Sequence, residues 1–132
     1  PTAATKAQNM YNSTHPFTSD LMNSYAWDTA TLFLQSCGTN NKYSRQSSLN
    51  NGSPASTGTN NQTTKDVQCN VFDMASNVRE WTTETSSLSG NPCTSRGGNY
   101  NNTDSYTSHR SKGTTSFSGS IIGFRPLLYI NV

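Results

Sequence analysis

Twelve consecutive residues constrain this chain more than any other stretch: Val71-Phe72-Asp73-Met74-Ala75-Ser76-Asn77-Val78-Arg79-Glu80-Trp81-Thr82. A short strand-like run, Val78–Thr83, contains Trp81, a ring large enough to anchor a small core between a sheet and helices. Arg96-Gly97-Gly98 follows, where paired glycines predict a bulge or a close approach of backbone within a strand. Arg110 and Gly123-Phe124-Arg125 complete the series. Arg96, Arg110 and Arg125 lie among apolar residues and glycines. A guanidinium placed there must find acceptors, with Glu80 and Asp73 the obvious carboxylates. Structural pairing is the preferred reading for all three arginines.

The rest of the chain changes character along its length. Ala3–Tyr11 reads as a helix that stops at Asn12-Ser13-Thr14. A second helix is predicted from Thr18 or Ser19, whose hydroxyl would cap it. Its core stripe would run Leu21, Tyr25, Asp28/Thr29, Leu32, with Met22, Ala26 and Phe33 beside it and Trp27 on the flank. From 36 to 64 there is almost no periodicity, and the repeated Gly-Thr-Asn-Asn at 38–41 and 58–61 is read as coincidence within loop. Strand-like runs then occur at Val67–Phe72, Val78–Thr83, Ser95–Tyr100 and Ile121–Ile130, with a polar stretch at 101–120. Helices first and short strands afterwards predict an α+β domain.

Composition decides what this domain is not. At 132 residues it is one domain's worth, 1–132. It begins with Pro1 rather than Met, which suggests the C-terminal part of a longer protein. Only 12% of residues are charged, and 16 Asn, 20 Ser and 19 Thr take their place, so a neutral, hydroxyl-rich surface is expected rather than a charge-driven disordered chain. The net charge of +2 is scattered, without a basic stripe for nucleic acid, and no apolar run is long enough for a membrane span. His15 and His109 are too isolated for a metal cluster, and a Gly-x-Ser-x-Gly elbow is lacking. Cys37, Cys69 and Cys93 lack C-x-x-C spacing. One disulfide with a free thiol and three buried thiols are both compatible with them.

The segment 71–82 resembles the Tyr-Asp-Met-Ala-Gly-Asn-Val-x-Glu-Trp-Thr stretch of formylglycine-generating enzymes and their relatives, the sulfatase-modifying factors. Arg96-Gly97-Gly98 with Tyr100 is similar to that family's Arg-Gly-Gly-Ser-Trp, and Arg110 and Gly123-Phe124-Arg125 keep the family order. The resemblance implies a C-type lectin-like fold, two helices packed on short twisted antiparallel sheets with long polar loops. The usual first strand would then be missing before Pro1. Oxidase members bind copper through two cysteines just before the closing Gly-Phe-Arg, but 100–122 holds none here. Without a thiolate pair, copper(I) and thiol oxidation are not expected, so a non-enzyme without a certain cofactor is the expectation. The resemblance further implies a structural calcium at Asp73, Ser76, Val78 and Glu80, with carboxylates and carbonyls suited to a hard cation. Ser76 stands where the family has glycine, and the preferred alternative is that Asp73 caps a turn and Glu80 pairs an arginine.

The stretch before Gly-Phe-Arg is similar to the variable proteins of diversity-generating retroelements, in which randomised Asn codons yield a restricted residue set. Asn99, Tyr100, Asn101, Asn102, Asp104, Ser105, Tyr106, His109, Ser111, Thr115, Ser116 and Phe117 belong to that set, and Lys112 does not. Tyr offers rigid amphipathic area, while Ser, Asn and Gly offer adaptable hydrogen bonding. These twelve are the candidate ligand-binding residues, with Tyr100, Tyr106 and Phe117 as anchors. The expected partner is a protein or glycan on a cell surface. The domain itself would be extracellular, on a cell surface or a phage virion, with homo-oligomers an option. The alternatives are a formylglycine-generating-type oxidase with displaced cysteines and a structural fibre or tail subunit.

Overall fold

A computed structural model describes residues 2–11, 16–48, 54–56, 66–102 and 104–130. The expected helix stop at Asn12–Thr14, His15 and the second Gly-Thr-Asn-Asn at 58–61 lie outside the described residues. The order of elements is α1 (Thr2–Gln8), β1 (Phe17–Leu21), α2 (Ser24–Cys37), a 3-10 turn (Tyr43–Arg45), β2 (Val67–Gln68), β3 (Val71–Phe72), β4 (Arg79–Thr85), β5 (Cys93–Arg96), β6 (Arg110–Gly113), β7 (Ile122–Phe124) and β8 (Pro126–Ile130). This is the α+β class.

The second helix begins later than its hydroxyls suggest. Thr18 and Ser19 belong to strand β1, paired antiparallel with Tyr129 and Leu128 of β8. The ladder to the far end of the chain overrides the local cap. Asn23 takes that role instead, accepting from the Ala26 amide at 2.8 Å with its own backbone extended. A strand upstream of α2 is therefore present at 17–21.

The buried face of α2 is also rotated from the expected stripe. Tyr25 is 87% exposed and Leu32 63%, whereas Trp27, Thr31 and Leu34 point inward. The spacing i, i+4, i+7 is equally helical, and Trp27 decides between the two faces. Its indole Nε1 donates to the Thr107 carbonyl at 3.0 Å, satisfying the polar end of a fully buried ring. Met22, Tyr43, Leu34 and Met74 pack with it, and a second cluster unites Ala7 of α1, Leu21 of β1 and Trp81 of β4.

A four-stranded sheet, in the order β6-β5-β4-β7, carries Arg79, Trp81, Arg96 and Arg110. β4–β5 and β5–β6 are antiparallel, but β4 and β7 run parallel, which departs from the expected all-antiparallel sheets. Strand β6 falls inside the stretch read as polar loop. Arg110-Ser111-Lys112-Gly113 has no apolar alternation to betray it, as suits a strand at a sheet edge. The run Ser95–Tyr100 leaves the ladder after Arg96. Gly97 takes φ +81°, and a Cβ there would come within 2.5 Å of the Met74 carbonyl oxygen, so the expected close approach is present.

Candidate functional site

Strand register sorts the functional side chains onto two faces of the sheet, because direct cross-strand partners share a face and neighbours along a strand alternate. One row is Glu80–Arg96–Arg110, and the next is Trp81–Ser95–Ser111, with Phe124 opposite Trp81. By alternation Arg79 shares the face of Trp81.

The Glu80 face is an ion network. Arg96 is wholly buried; its Nη2 bonds Asp28, its Nη1 reaches Glu84 at 3.4 Å, and its guanidinium lies 5.9 Å from the Trp27 ring centroid. Arg110 grips the same two carboxylates, with Nε 3.0 Å from Glu84 and Nη2 3.0 Å from Asp28. Although some burial works against it, Glu84 is held below the ordinary carboxylate range by the Ser24 hydroxyl and by Arg110 and Arg96. Arg125 forms a bidentate pair with Glu80, both bonds at 3.0 Å, and also donates to the Phe72 carbonyl at 2.7 Å. The expected pairing of Arg125 with Glu80 is thus present, while Arg96 and Arg110 use Asp28 and Glu84 rather than Asp73.

Asp73 occupies a different environment. It has φ +58° in the turn before β4 and is buried, and its amide donates to the Asp66 carbonyl at 2.7 Å. Burial pushes its carboxyl up to about 6, the Asp66 and Glu80 charges push the same way, and Arg125 opposes them. Beside it, the buried Asp66 carboxylate accepts from Tyr43 Oη and from the Ala75 amide, both at 2.7 Å.

These contacts test the implied calcium. Ser76 is buried and Val78 half-buried beside Asp73, but both oxygens of Glu80 are already taken by Arg125, whose guanidinium supplies the positive charge there. Among the described residues no group of three or more His, Cys, Asp or Glu is placed to hold a metal ion. Of Asp73, Ser76, Val78 and Glu80 only Glu80 is ion-paired, and with both its oxygens on Arg125 the set does not fit a calcium cage. Copper fits no better. Cys37 ends α2, Cys69 lies in the β2–β3 turn and Cys93 opens β5, and all three are free thiols. None is fully buried and none is in a disulfide, so neither cysteine arrangement compatible with the sequence is present.

The other face of the sheet carries Arg79, Trp81, Ser95, Ser111, Ile122 and Phe124. Phe117 meets Trp81 edge-on at 6.2 Å and lines two hollows. One, about 340 Å³, lies between α1 and residues 115–119. The other, about 240 Å³, is bounded by Arg79, Ser111, Lys112 and Thr114. Gly113 is what lets Trp81 lie here, since a Cβ would come within 2.7 Å of the ring.

Residues 97–102 and 104–113 are held through their backbone, while 114–119 are closed by local turns, the Phe117 amide donating to the Thr114 carbonyl at 3.3 Å. Gly97 donates to the His109 carbonyl at 3.2 Å, Tyr100 to Asn77 at 2.8 Å, Thr107 to Gln46 at 3.0 Å and Ser108 to Ser44 at 3.1 Å, and Tyr106 bridges to Ser47. Of the twelve candidate binding residues, Asn101, Asn102, Asp104, Tyr106, His109, Thr115, Ser116 and Phe117 are exposed. Tyr100, donating to Ser120 Oγ at 3.0 Å, and Ser111 are half-buried. Asn99 and Ser105 are buried and so are withdrawn from the candidate surface; Asn99 Oδ1 instead caps the Asn101 amide at 2.9 Å. His109 is held below its ordinary value by burial first and then by the Arg79 charge. Sequence reasoning passed over Arg79, although its parity with Trp81 along one strand marks it as facing the same way.

The family model for the sulfatase-modifying factor enzyme 1-like domain matches residues 3–129. No curated protein and no solved structure matches the chain.

Proposed function

The chain belongs to the sulfatase-modifying factor enzyme 1-like family, and from that premise we propose that it is a version of the family's domain given over to ligand binding without oxidase chemistry. The observation that carries this reading is the division of labour in 97–102 and 104–113, where backbone groups are tied to the scaffold while Asn101, Asn102, Asp104, Tyr106 and His109 stay exposed, with Thr115, Ser116 and Phe117 exposed on the turns beyond. Loops held in this way can change side chains without disturbing a core. Their content of Tyr, Phe, Ser, Asn and His is that of an adaptable contact surface. Tyr106, 43% exposed, and Phe117, 44% exposed, are the aromatic anchors.

In this reading the α+β architecture is C-type lectin-like, and the surface is diversified as in retroelement variable proteins. It acts outside the cell or on a virion against a protein or glycan. No helix among the described residues is long and apolar enough to cross a membrane. Oxidase chemistry has less support, because Cys93, three residues before Arg96-Gly97-Gly98, packs against the Ala7–Leu21–Trp81 cluster.

Two measurements test the proposal. Deep sequencing of codons 95–125 and their flanks in a carrier population is expected to show substitutions at the exposed positions, with a near-copy repeat nearby; invariant codons without a repeat would remove diversification. Binding of the purified chain to a printed array of glycans and surface proteins is expected to fall with Tyr106→Ala at unchanged Tm. Conversion of a Cys-containing sulfatase peptide, abolished by Cys93→Ser, would overturn the non-catalytic reading.

A further inference from the structure

Arg79 differs from the other three motif arginines in having no counter-charge. Its Nη1 donates to Ser111 Oγ at 2.7 Å, its Nε is buried without a hydrogen-bond partner, and it makes no ion pair among the described residues. Burial alone lowers its pKa, with no carboxylate to offset the effect. A half-buried guanidinium in that state is costly unless something else supplies the acceptors. The hollow that Arg79 lines holds no acidic residue. It presents the hydroxyls of Ser95, Ser111 and Thr114 beside an apolar wall of Trp81 and Phe117, while Lys112, by alternation along β6, contributes backbone to its rim and turns its side chain to the Glu80 face. Away from bulk water such a wall strengthens any charge–charge contact made against it.

We infer that this hollow takes an anionic group, a carboxylate or a sulfate, carried on a hydroxyl-rich unit the size of one sugar residue. With Nε closed to solvent and Nη1 already on Ser111, the group meets the remaining Nη donors of the Arg79 guanidinium. The hydroxyls meet its remaining acceptors, and the exposed Phe117 ring packs on the apolar face of the unit. At about 240 Å³ the space is below the range of roughly 300–1,000 Å³ usual for whole small-molecule ligands, so it suits one residue of a longer ligand. The inference rests on the binding reading and names the chemistry of its ligand: an acidic saccharide.

The test is chemical-shift mapping on the isotope-labelled 132-residue chain, titrated separately with glucuronate, glucose 6-sulfate, inorganic sulfate and glucose. Glucuronate or glucose 6-sulfate is expected to shift Ser95, Ser111, Lys112 and Thr114 amides, and glucose is expected to shift none of them. Which acidic probe binds more tightly identifies the group, and sulfate alone binding as well would overturn the saccharide part. Arg79→Gln is expected to weaken binding by about tenfold or more, Thr114→Val by a few-fold, and Arg79→Lys to retain part of it. If Arg79→Gln fails to fold, the Thr114→Val and Arg79→Lys titrations decide the matter. No shift with either acidic probe, or affinity unchanged in all three variants, overturns the anion site. The array binding lost with Tyr106→Ala is a separate readout: if it persists while the acidic probes fail, the ligand is neutral and the binding reading stands.

Discussion

The two faces of the β6-β5-β4-β7 sheet treat their arginines in opposite ways. On the Glu80 side, Arg96 and Arg110 share Asp28 and Glu84, while Arg125 holds Glu80 in a bidentate pair. On the Trp81 side, Arg79 has a serine hydroxyl and an open hollow. A small apolar core explains the first arrangement. The two clusters contain few large side chains, so internal ion pairs and hydrogen bonds fix the packing of helices on the sheet. The second arrangement makes no contribution of that kind to the scaffold. Charge that is neutralised internally belongs to folding, and charge left open beside the exposed Phe117 is what the proposed anion site would use.

Substitutions can break or sharpen this contrast. The largest effect is expected at Arg96. Arg96→Met removes a buried cation shared by two carboxylates and stacked on Trp27, and about 3 kcal/mol of stability should be lost in urea denaturation. A loss under about 1 kcal/mol would mean that the network is ornamental. Glu80→Gln should cost about 2 kcal/mol by stranding the Arg125 guanidinium against the Phe72 carbonyl. Double substitution with Arg125→Met should recover much of that loss.

A smaller effect separates Asp73 from these pairs. Its folded pKa of about 6 lies above its ordinary 3.8, so the folded state holds the proton more tightly than the unfolded state. Asp73 then disfavours folding as pH climbs from about 4 to about 6, and relief comes on acidification. Relative to wild type, Asp73→Asn should therefore gain stability between pH 4 and pH 7, on the order of 1–2 kcal/mol. A flat difference across that window would contradict the assignment. The smallest effect is expected at Arg79, where Arg79→Gln should change stability by less than about 0.5 kcal/mol or raise it. A loss comparable to that at Arg96 would make the two faces equivalent.

The parts legible in sequence were those that local chemistry dictates. Trp81 had to be buried, Gly97 had to let backbone approach, and Glu80 stood close enough to suggest its pairing with Arg125. What escaped depended on distant partners. Phe17–Leu21 looks like the lead-in to a helix until β8 is placed beside it. Leu21-Tyr25-Leu32 and Trp27-Thr31-Leu34 have the same period, and only the carbonyl of Thr107 and the guanidinium of Arg96 select the second. Strand β6 has no apolar residue to reveal it, and Asp28 and Glu84 carry no mark of serving arginines far along the chain. In the candidate surface, residue type alone could not separate buried Asn99 and Ser105 from their exposed neighbours.

The account depends most on the claim that the exposed side chains of 101–117 can vary without cost to the scaffold. It is tested most directly by a surface-displayed library randomised singly at every position from 97 to 120 and sorted for protease resistance. The expected result is broad tolerance at Asn101, Asn102, Asp104, Tyr106, His109, Thr115, Ser116 and Phe117, with sharp intolerance at Gly97, Asn99, Ser105 and Thr107. Uniform intolerance along the stretch, or tolerance at the buried positions equal to that at the exposed ones, would contradict it.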